Sequence, residues 1–171
     1  MTFDVLVDFA HKLGVTNAQI ADFYKNNWHR PIALSDPKFI NWQFGVQSEN
    51  HCVVAIADSK IIGIMAVTPR VFLYNSNSFN GAELSTWVVS SKARGLGIGK
   101  KILQLLQSTF QVLVGTGITD AAVPIYLSRG FSFSAYIPRY IYVSNFQKIK
   151  NLTKFDFEAE RLTKSRRTKP P

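Results

Sequence analysis

A glycine-rich loop between two patterned segments is the part of this chain best suited to bind an anion. An apolar, β-branched stretch ends at Val89, three alternating glycines occupy positions 95–99, and an amphipathic run begins at Ile102. This order predicts a strand, a tight loop and a helix. The first N–H groups of a helix lack partners within it, and the helix dipole adds positive potential. The pattern therefore predicts a phosphate or pyrophosphate site, with Arg94 and Lys100 at its rim.

The spacing of the glycines excludes the two commonest phosphate loops. A P-loop ends in Gly-Lys-Ser/Thr after four intervening residues, whereas three residues separate Gly95 from Gly99 and Lys101 stands at the hydroxyl position. A dinucleotide loop, Gly-x-Gly-x-x-Gly, lacks its third glycine because Ile102 occupies that position. The spacing Arg94-x-x-Gly97-x-Gly99 instead resembles the acyl-CoA pyrophosphate loop of the GNAT family of N-acyltransferases.

A second segment supports the same resemblance. Residues 119–131 are similar to the family's Asn-x-x-Ala-x-x-Leu-Tyr-x-Lys-x-Gly-Phe motif. The alanine, the tyrosine (Tyr126) and the final Gly-Phe are kept, while Thr119 replaces the asparagine and Ser128 replaces the lysine. The resemblance spans roughly residues 17–143 and rests on both motifs together.

The resemblance implies a fold and a co-substrate. The fold is α/β: a mixed, mostly antiparallel sheet with a central parallel pair splayed around an acyl-CoA site and flanked by helices. The co-substrate is acetyl-CoA or another acyl-CoA, with no metal. The backbone N–H near Val89 would bind the thioester oxygen, and the N–H groups from Leu96 to Lys100 would hold the pyrophosphate. The implied cofactor-binding residues are Val88, Val89, Arg94, Gly95, Leu96, Gly97, Ile98, Gly99, Lys100 and Thr119.

Two residues are predicted to be catalytic. The resemblance implies that Tyr126 protonates the leaving thiolate; its alternative role is that of a core tyrosine. Glu83 lies six residues before Val89, a position at which some family members carry a catalytic glutamate. Simple alternation places Glu83 and Val89 on one face of the strand, although a bulge would change that phase. Asp120 and water are the other candidates for the general base.

The acceptor site is predicted from an aromatic and basic group of residues. Trp28, Arg30 and Tyr74 are the candidates, because Trp and Tyr suit a sugar face and Arg suits a phosphate or carboxylate. Packing roles are the alternative for each of them. The sequence around Trp28 and the segment 81–87 are similar to GNAT proteins of surface-polysaccharide or amino-sugar pathways.

Hydrophobic periodicity and capping residues predict the surrounding elements. Residues 1–15 are left open between a strand and a short helix. Predicted helices cover 17–27, 37–44, 97–109 and 118–129, and predicted strands cover 52–57, 61–68, 72–74, 79–89, 112–114, 131–136 and 140–143.

Composition limits the class of protein and its partners. A chain of 171 residues with 46% hydrophobic content can build one real core. The net charge of +9 is concentrated in residues 148–171, which carry +5. We therefore expect a GNAT-like domain over 1–147 and a basic, flexible extension or linker over 148–171. A charge confined to a tail without base-stacking aromatics argues against nucleic acid as a partner.

The remaining features indicate a cytoplasmic protein. The single Cys52 excludes an internal disulfide and is expected to be a core thiol rather than a nucleophile. The N-terminal segment carries acidic residues and no long apolar block, so neither a signal peptide nor a membrane span is expected. A homodimer is left open.

These observations lead to one main hypothesis. The chain is expected to be an acyl-CoA-dependent N-acyltransferase, most simply an N-acetyltransferase, which moves an acyl group directly to a primary amine of a small molecule. The alternative is a catalytically weak GNAT-like module that binds acyl-CoA or regulates a larger protein.

Overall fold

One mixed sheet carries all the described strands. The computed structural model describes residues 4–44 and 51–134. Four strands follow one another antiparallel, and the last pairs in parallel with the fourth. The strands, in both chain and sheet order, are β1 (Leu6–Phe9), β2 (Cys52–Ala57), β3 (Lys60–Tyr74), β4 (Asn77–Val89) and β5 (Val112–Gly115). The predicted mixed, mostly antiparallel sheet with one parallel pair is confirmed.

Helices cover both faces of this sheet. They are α1 (Asn17–Asn27), α2 (Pro37–Phe44), α3 (Ile98–Thr109) and α4 (Val123–Leu127), with single 3-10 turns at Ala33–Ser35 and Ser91–Ala93. On one side, called the α1 face, Ile20 and Tyr24 pack with Ile64 and other strand residues. On the other side, called the α3 face, residues of α3 and Tyr126 of α4 pack with Met65 and its neighbours.

Local sequence signals account for the helix starts. The Thr16 side chain accepts a hydrogen bond from the Gln19 N–H, and Gln19 Oε1 accepts one from the Thr16 N–H at 2.8 Å, which forms a capping box. Asp36 Oδ1 accepts a hydrogen bond from the Lys38 N–H at 2.8 Å, with Pro37 at the first helical position. The predicted helices over 17–27 and 37–44 are confirmed.

Three element predictions need correction. The region 61–74 is one strand rather than two. Pro69 lies beyond the end of the pairing between β2 and β3, so the edge of β3 that faced β2 is unpaired there, and the missing N–H of proline costs no hydrogen bond of the sheet. The helix predicted over 118–129 is limited to Val123–Leu127, with Pro124 in its first turn, where no donor is needed. Residues 131–134 are not in a strand.

Other predictions lie outside the described residues. The end of the strand predicted over 131–136, the strand over 140–143 and the basic extension over 148–171 all fall there. The chain divides into two units, Met1–Phe133 and Ser134–Pro171, and every described element belongs to the first. None of the helices within 4–44 and 51–134 is both long and apolar enough to cross a membrane.

A bulge in β4 marks the place where the sheet opens. The register between β3 and β4 slips between Leu84 and Trp87, where Ser85 and Thr86 together oppose Ala66. The pairing of β4 with β5 ends at the same place, at Leu84 and Gly115. The two parallel strands therefore separate beyond the bulge, and a gap opens between them.

Candidate active site

A large cleft lies at the start of α3. Its volume is about 760 Å³, and it runs between the glycine loop, the end of β4 and the end of α1. Nine of the ten predicted cofactor-binding residues line it: Val88, Val89, Arg94, Gly95, Gly97, Ile98, Gly99, Lys100 and Thr119. Leu96 does not, and its N–H donates a long, 3.4 Å hydrogen bond to the Ala93 carbonyl. We call this space the loop cleft.

The backbone of the loop cleft presents unused donors. Gly97 caps α3 in the left-handed conformation, with φ of 74°, and Gly95 has φ of 80°. A residue with a Cβ is strained in this region, which explains glycine at both positions. Among the described residues, none accepts a hydrogen bond from the N–H groups of residues 97–100. Four unpaired donors at the positive end of a twelve-residue helix are an arrangement that suits an anion.

Gly99 has a different physical cause. A Cβ at this position would lie 2.3 Å from Cζ2 of Trp87, closer than any real contact. Gly99 therefore allows the indole of Trp87 to lie against the backbone of the first turn of α3.

A smaller cleft occupies the gap between β4 and β5. Its volume is about 300 Å³. It is lined by Glu83 to Trp87 of β4, by the last residue of β5 and the four that follow it (115–119), and by Trp28, Ala122 and Tyr126. We call this space the gap cleft. Both predicted catalytic residues, Glu83 and Tyr126, line it.

The N–H group of Val89 points toward the side of β4 on which β5 has separated from it. The Ser90 N–H donates to the Ile62 carbonyl at 2.9 Å, and the register pairs Val89 with Gly63. Hydrogen-bonded and non-hydrogen-bonded pairs alternate along an antiparallel ladder. Val89 is therefore in a non-hydrogen-bonded pair, and its N–H points away from β3, toward the side on which β5 has separated.

The two clefts meet at shared residues. Four residues line both of them, namely Trp28, Trp87, Thr119 and Ala122. The two clefts therefore adjoin each other at these side chains. This arrangement suits the transfer of a group between two substrates.

Comparison with known proteins agrees with this geometry. The profile of the acetyltransferase (GNAT) family matches residues 15–131, which include the loop, the bulge and α4. This chain belongs to the GNAT family. Among curated protein sequences, none matches it significantly.

Solved structures show the same fold at low identity. A transcriptional regulator from Bacillus halodurans C-125 superimposes with a TM-score of 0.60 and 16% identity, over 81% of this chain and 99% of that one. Glucosamine-6-phosphate N-acetyltransferase from Arabidopsis thaliana gives a TM-score of 0.58 and 14% identity, over 84% and 100%. Aminoglycoside N-acetyltransferase AAC(6')-Iy, solved with CoA, gives 0.56 and 15%, over 82% and 95%.

GNAT membership supports an acyltransferase that uses acyl-CoA and a small-molecule acceptor. The described residues fit the co-substrate, because the free N–H groups of 97–100 and the side chains of Arg94 and Lys100 face one cleft. Within residues 4–44 and 51–134, no three His, Cys, Asp or Glu side chains come together as a metal site would require.

Tyr126 is held in an aromatic environment at the gap cleft. Its ring makes edge-to-face contacts with Trp87, at 5.6 Å between centroids, and with Phe131, at 5.0 Å. The residue is 6% exposed, and no described group hydrogen-bonds to its hydroxyl. Burial raises the pKa of Tyr126 to about 12. The phenol is therefore neutral, and able to donate a hydrogen bond, throughout the physiological pH range.

Glu83 and Asp120 are placed differently. The bulge shifts the phase of β4, because Leu84 packs in the same core as Trp87 and Val89, which leaves Glu83 on the opposite, α1 face. The expectation that Glu83 shares a face with Val89 is therefore wrong. Glu83 still reaches the gap cleft, and its carboxylate lies 3.7 Å from the Arg70 guanidinium. Asp120 lines neither cleft.

The predicted acceptor residues are dispersed. Trp28, at the C-terminal end of α1, lines both clefts. Arg30 is exposed and lines neither cleft, and Tyr74 is 70% exposed near the tip of the β3–β4 hairpin. Only Trp28 of these three is brought to the candidate site, and the roles of Arg30 and Tyr74 stay predictions.

Trp87 is a site residue that was not predicted. Alternation places it on the same face of the strand as Val89, as observed, but gives it no role. The pattern of a Trp in β4 followed by a third glycine at position 99 is the signal that could have found it, because a ring that lies on a helix start requires a residue without a Cβ.

The raised pKa of Tyr126 predicts a loss of stability in alkali. Because the folded-state pKa of about 12 exceeds the unfolded value of 10.0, this contribution is fully present below pH 10 and is lost as pH rises through about 12. Burial also raises the pKa of Tyr24 and of Cys52, so these groups act in the same direction. The unfolding free energy, measured with urea, should fall between pH 9 and pH 11 in both proteins. The fall should be smaller in Tyr126→Phe than in wild type by about 1 kcal/mol. Equal losses in both proteins would show that Tyr126 titrates normally.

Proposed function

We propose that this protein is an acetyl-CoA-dependent N-acetyltransferase that moves the acetyl group directly to a primary amine. The observation that carries the proposal is that the two clefts share four lining residues, so that a loop cleft suited to the co-substrate adjoins a gap cleft suited to the acceptor. Direct transfer needs no nucleophilic side chain, and the single cysteine, Cys52, is unsuited to that role because it is buried in the core at 2% exposure, where burial raises its pKa.

The co-substrate would be held by its phosphates and by the free edge of β4. CoA supplies an activated thioester when bound. The N–H groups of residues 97–100 would donate to the pyrophosphate, with Arg94 and Lys100 contributing charge. The Val89 N–H would donate to the thioester oxygen, on which negative charge develops during attack by the amine. Val88 and Thr119 would line the remaining wall.

Tyr126 would act on the departing sulfur. The phenol has a pKa of about 12, and the thiol formed from the thiolate has a pKa of about 8.5. The equilibrium constant for transfer of the proton to the thiolate is therefore unfavourable by roughly three orders of magnitude. The main contribution of Tyr126 is therefore a hydrogen bond that stabilises the thiolate as it leaves. Complete transfer becomes favourable only where burial raises the pKa of the thiolate as well.

Glu83 would accept the proton of the acceptor ammonium or amine, directly or through water. Its carboxylate lines the gap cleft, whereas Asp120 lines neither cleft. The Arg70 guanidinium lies 3.7 Å from the Glu83 carboxylate but does not cover it. The Glu83 side chain is 42% exposed and therefore accessible to an acceptor.

The variant Glu83→Gln tests this assignment. We expect kcat to fall about a hundredfold at pH 7, because general-base catalysis contributes on that order. The loss should shrink as pH rises toward the pKa of the acceptor amine, because the free amine then needs no base. Asp120→Asn is the matched control and should retain wild-type kcat; the reverse pattern would transfer the role to Asp120.

The acceptor is proposed to be an amino sugar of a surface-polysaccharide pathway. Hydroxyl side chains surround the gap cleft together with one carboxylate and the Trp28 ring, and this combination suits a polyhydroxylated amine. Arg30 and Tyr74 are proposed to contact more distant parts of such an acceptor. We also propose that the enzyme acts in the cytoplasm, where acetyl-CoA is supplied, and that a homodimer is compatible with its role.

A panel of amines tests the function. Release of the CoA thiol is measured with amino sugars, peptides and polyamines at saturating acetyl-CoA, and the acetylated product is identified by its mass. Turnover of an amino sugar with a mass gain of one acetyl group is the expected result. Tight acetyl-CoA binding without turnover of any amine would favour the second candidate, a GNAT-like binding module.

A further inference from the structure

The reacting centre of this protein is bounded by the few residues common to both clefts. Trp28 and Trp87 are the two large side chains among them, and Thr119 and Ala122 are the two small ones. An acyl group that passes from the loop cleft to an acceptor in the gap cleft has to fit between these four side chains. The position and rigidity of the two tryptophans therefore decide the space available to it.

Trp87 is held in place on two sides. Its ring lies so close to the start of α3 that a Cβ on Gly99 would fall 2.3 Å from Cζ2. Its other contact is the edge-to-face packing with Tyr126, at 80° between the ring planes. The indole therefore packs against the start of α3 on one side and against the Tyr126 ring on the other, and the residue also lines both clefts.

Packing alone fixes this ring. The indole Nε1 is buried, and it is the one buried side-chain nitrogen or oxygen of the described residues that has no hydrogen-bond partner. An unpaired buried donor is a cost to the fold. The Trp87 ring therefore contributes through the space that it fills beside the two clefts and not through a hydrogen bond.

We propose that Trp87 determines acyl-chain length by filling the space beyond the first carbons of the acyl group, so that the enzyme accepts acetyl-CoA and rejects longer acyl-CoAs. This inference rests on the proposed function. The chain carbons of a longer acyl group would have to displace a ring that two neighbours fix, and overpacking of this kind is resisted in protein interiors. Trp87 is thus a specificity-determining residue at the junction of the clefts.

The test compares Trp87→Leu with wild-type protein and with Trp42→Leu. Trp42 is 77% exposed on α2 and lines neither cleft, so this control makes the same chemical change elsewhere. Calorimetry without acceptor gives the dissociation constants of free CoA, acetyl-CoA, butanoyl-CoA and hexanoyl-CoA. For wild type and Trp42→Leu we expect hexanoyl-CoA to bind at least about tenfold more weakly than acetyl-CoA. For Trp87→Leu we expect this ratio to fall to about one or to reverse.

The controls separate the failure of this inference from that of the proposed function. The ratio of the hexanoyl-CoA to the acetyl-CoA dissociation constant is taken within each protein, so a change in affinity that Trp87→Leu makes for every CoA compound cancels, and binding of free CoA shows that the variant is folded. If Trp87→Leu does not fold, Trp87→Phe is used with the same expectation and a smaller change. If wild type binds all the acyl-CoAs equally, or if neither Trp87→Leu nor Trp87→Phe changes the ratio of the hexanoyl-CoA to the acetyl-CoA dissociation constant, the assignment of Trp87 is wrong, while the proposal of an acyl-CoA enzyme stands. If wild type binds no CoA compound, the proposed function itself fails.

Discussion

Replacing Tyr126 with phenylalanine should lower kcat at least about a hundredfold while leaving the affinity for acetyl-CoA nearly unchanged. The substitution removes only the hydroxyl, so the edge-to-face contacts of the ring with Trp87 and Phe131 are kept. The lost interaction forms with the sulfur only as negative charge develops there, and interactions specific to the transition state appear in kcat. Steady-state release of thiol measures the effect.

Two observations make this result specific to the hydroxyl. The melting temperature and the dissociation constant for acetyl-CoA should match wild type, which shows that the fold and the loop cleft are intact. Acceptors whose reaction is limited by product release would hide the chemical step, so single-turnover mixing is the decisive form of the experiment. A variant that turns over at the wild-type single-turnover rate would make Tyr126 a packing residue, the role left open from the sequence.

Replacing Gly97 with valine should weaken acetyl-CoA binding about a hundredfold, with the fold retained. Gly97 has φ of 74°, where a β-branched residue is strongly disfavoured, so the loop must change its path before α3. Such a change misdirects the N–H groups of residues 97–100, and each hydrogen bond to a charged group contributes on the order of 1.5 to 3 kcal/mol. Calorimetry with acetyl-CoA gives the loss of affinity directly.

Gly14 provides a matched control for this variant. It also has a positive φ, of 66°, and a Cβ there would meet nothing within 4 Å, as at Gly97. Gly14 lies between β1 and α1 and lines neither cleft. Gly14→Val should therefore share the backbone strain, of roughly 1 to 2 kcal/mol in unfolding free energy, and keep wild-type affinity. Equal affinities for the two variants would mean that the loop does not hold the co-substrate.

Local signals were sufficient to predict the glycine loop between β4 and α3. The change from a strand pattern to glycines and then to a helix pattern is read within fifteen residues, 88–102, and depends on backbone preferences that neighbouring residues determine. The same holds for the cap of α1 at Thr16 and for the start of α2 at Asp36. The family resemblance added the ligand, which backbone geometry alone leaves open between several phosphates.

Features that depend on distant partners could not be predicted in the same way. The bulge at Ser85 and Thr86 follows from the register with β3, and it reverses the face expected for Glu83. Pro69 reads as a strand break, yet it is accommodated because one edge of β3 is unpaired there. The contact of Trp87 with Gly99 joins a strand to a helix across the loop, and neither residue type reveals it alone.

The most direct test of an acyl-CoA site at the start of α3 compares acetyl-CoA with S-acetyl-pantetheine in calorimetric titrations of the wild-type protein. The two ligands share the thioester and the pantetheine arm, and only acetyl-CoA carries the pyrophosphate and nucleotide. We predict that acetyl-CoA binds with a dissociation constant at least about a hundredfold lower, and that Gly97→Val removes most of this difference. Equal affinities of the wild type for both ligands, or no binding of either, would contradict the account.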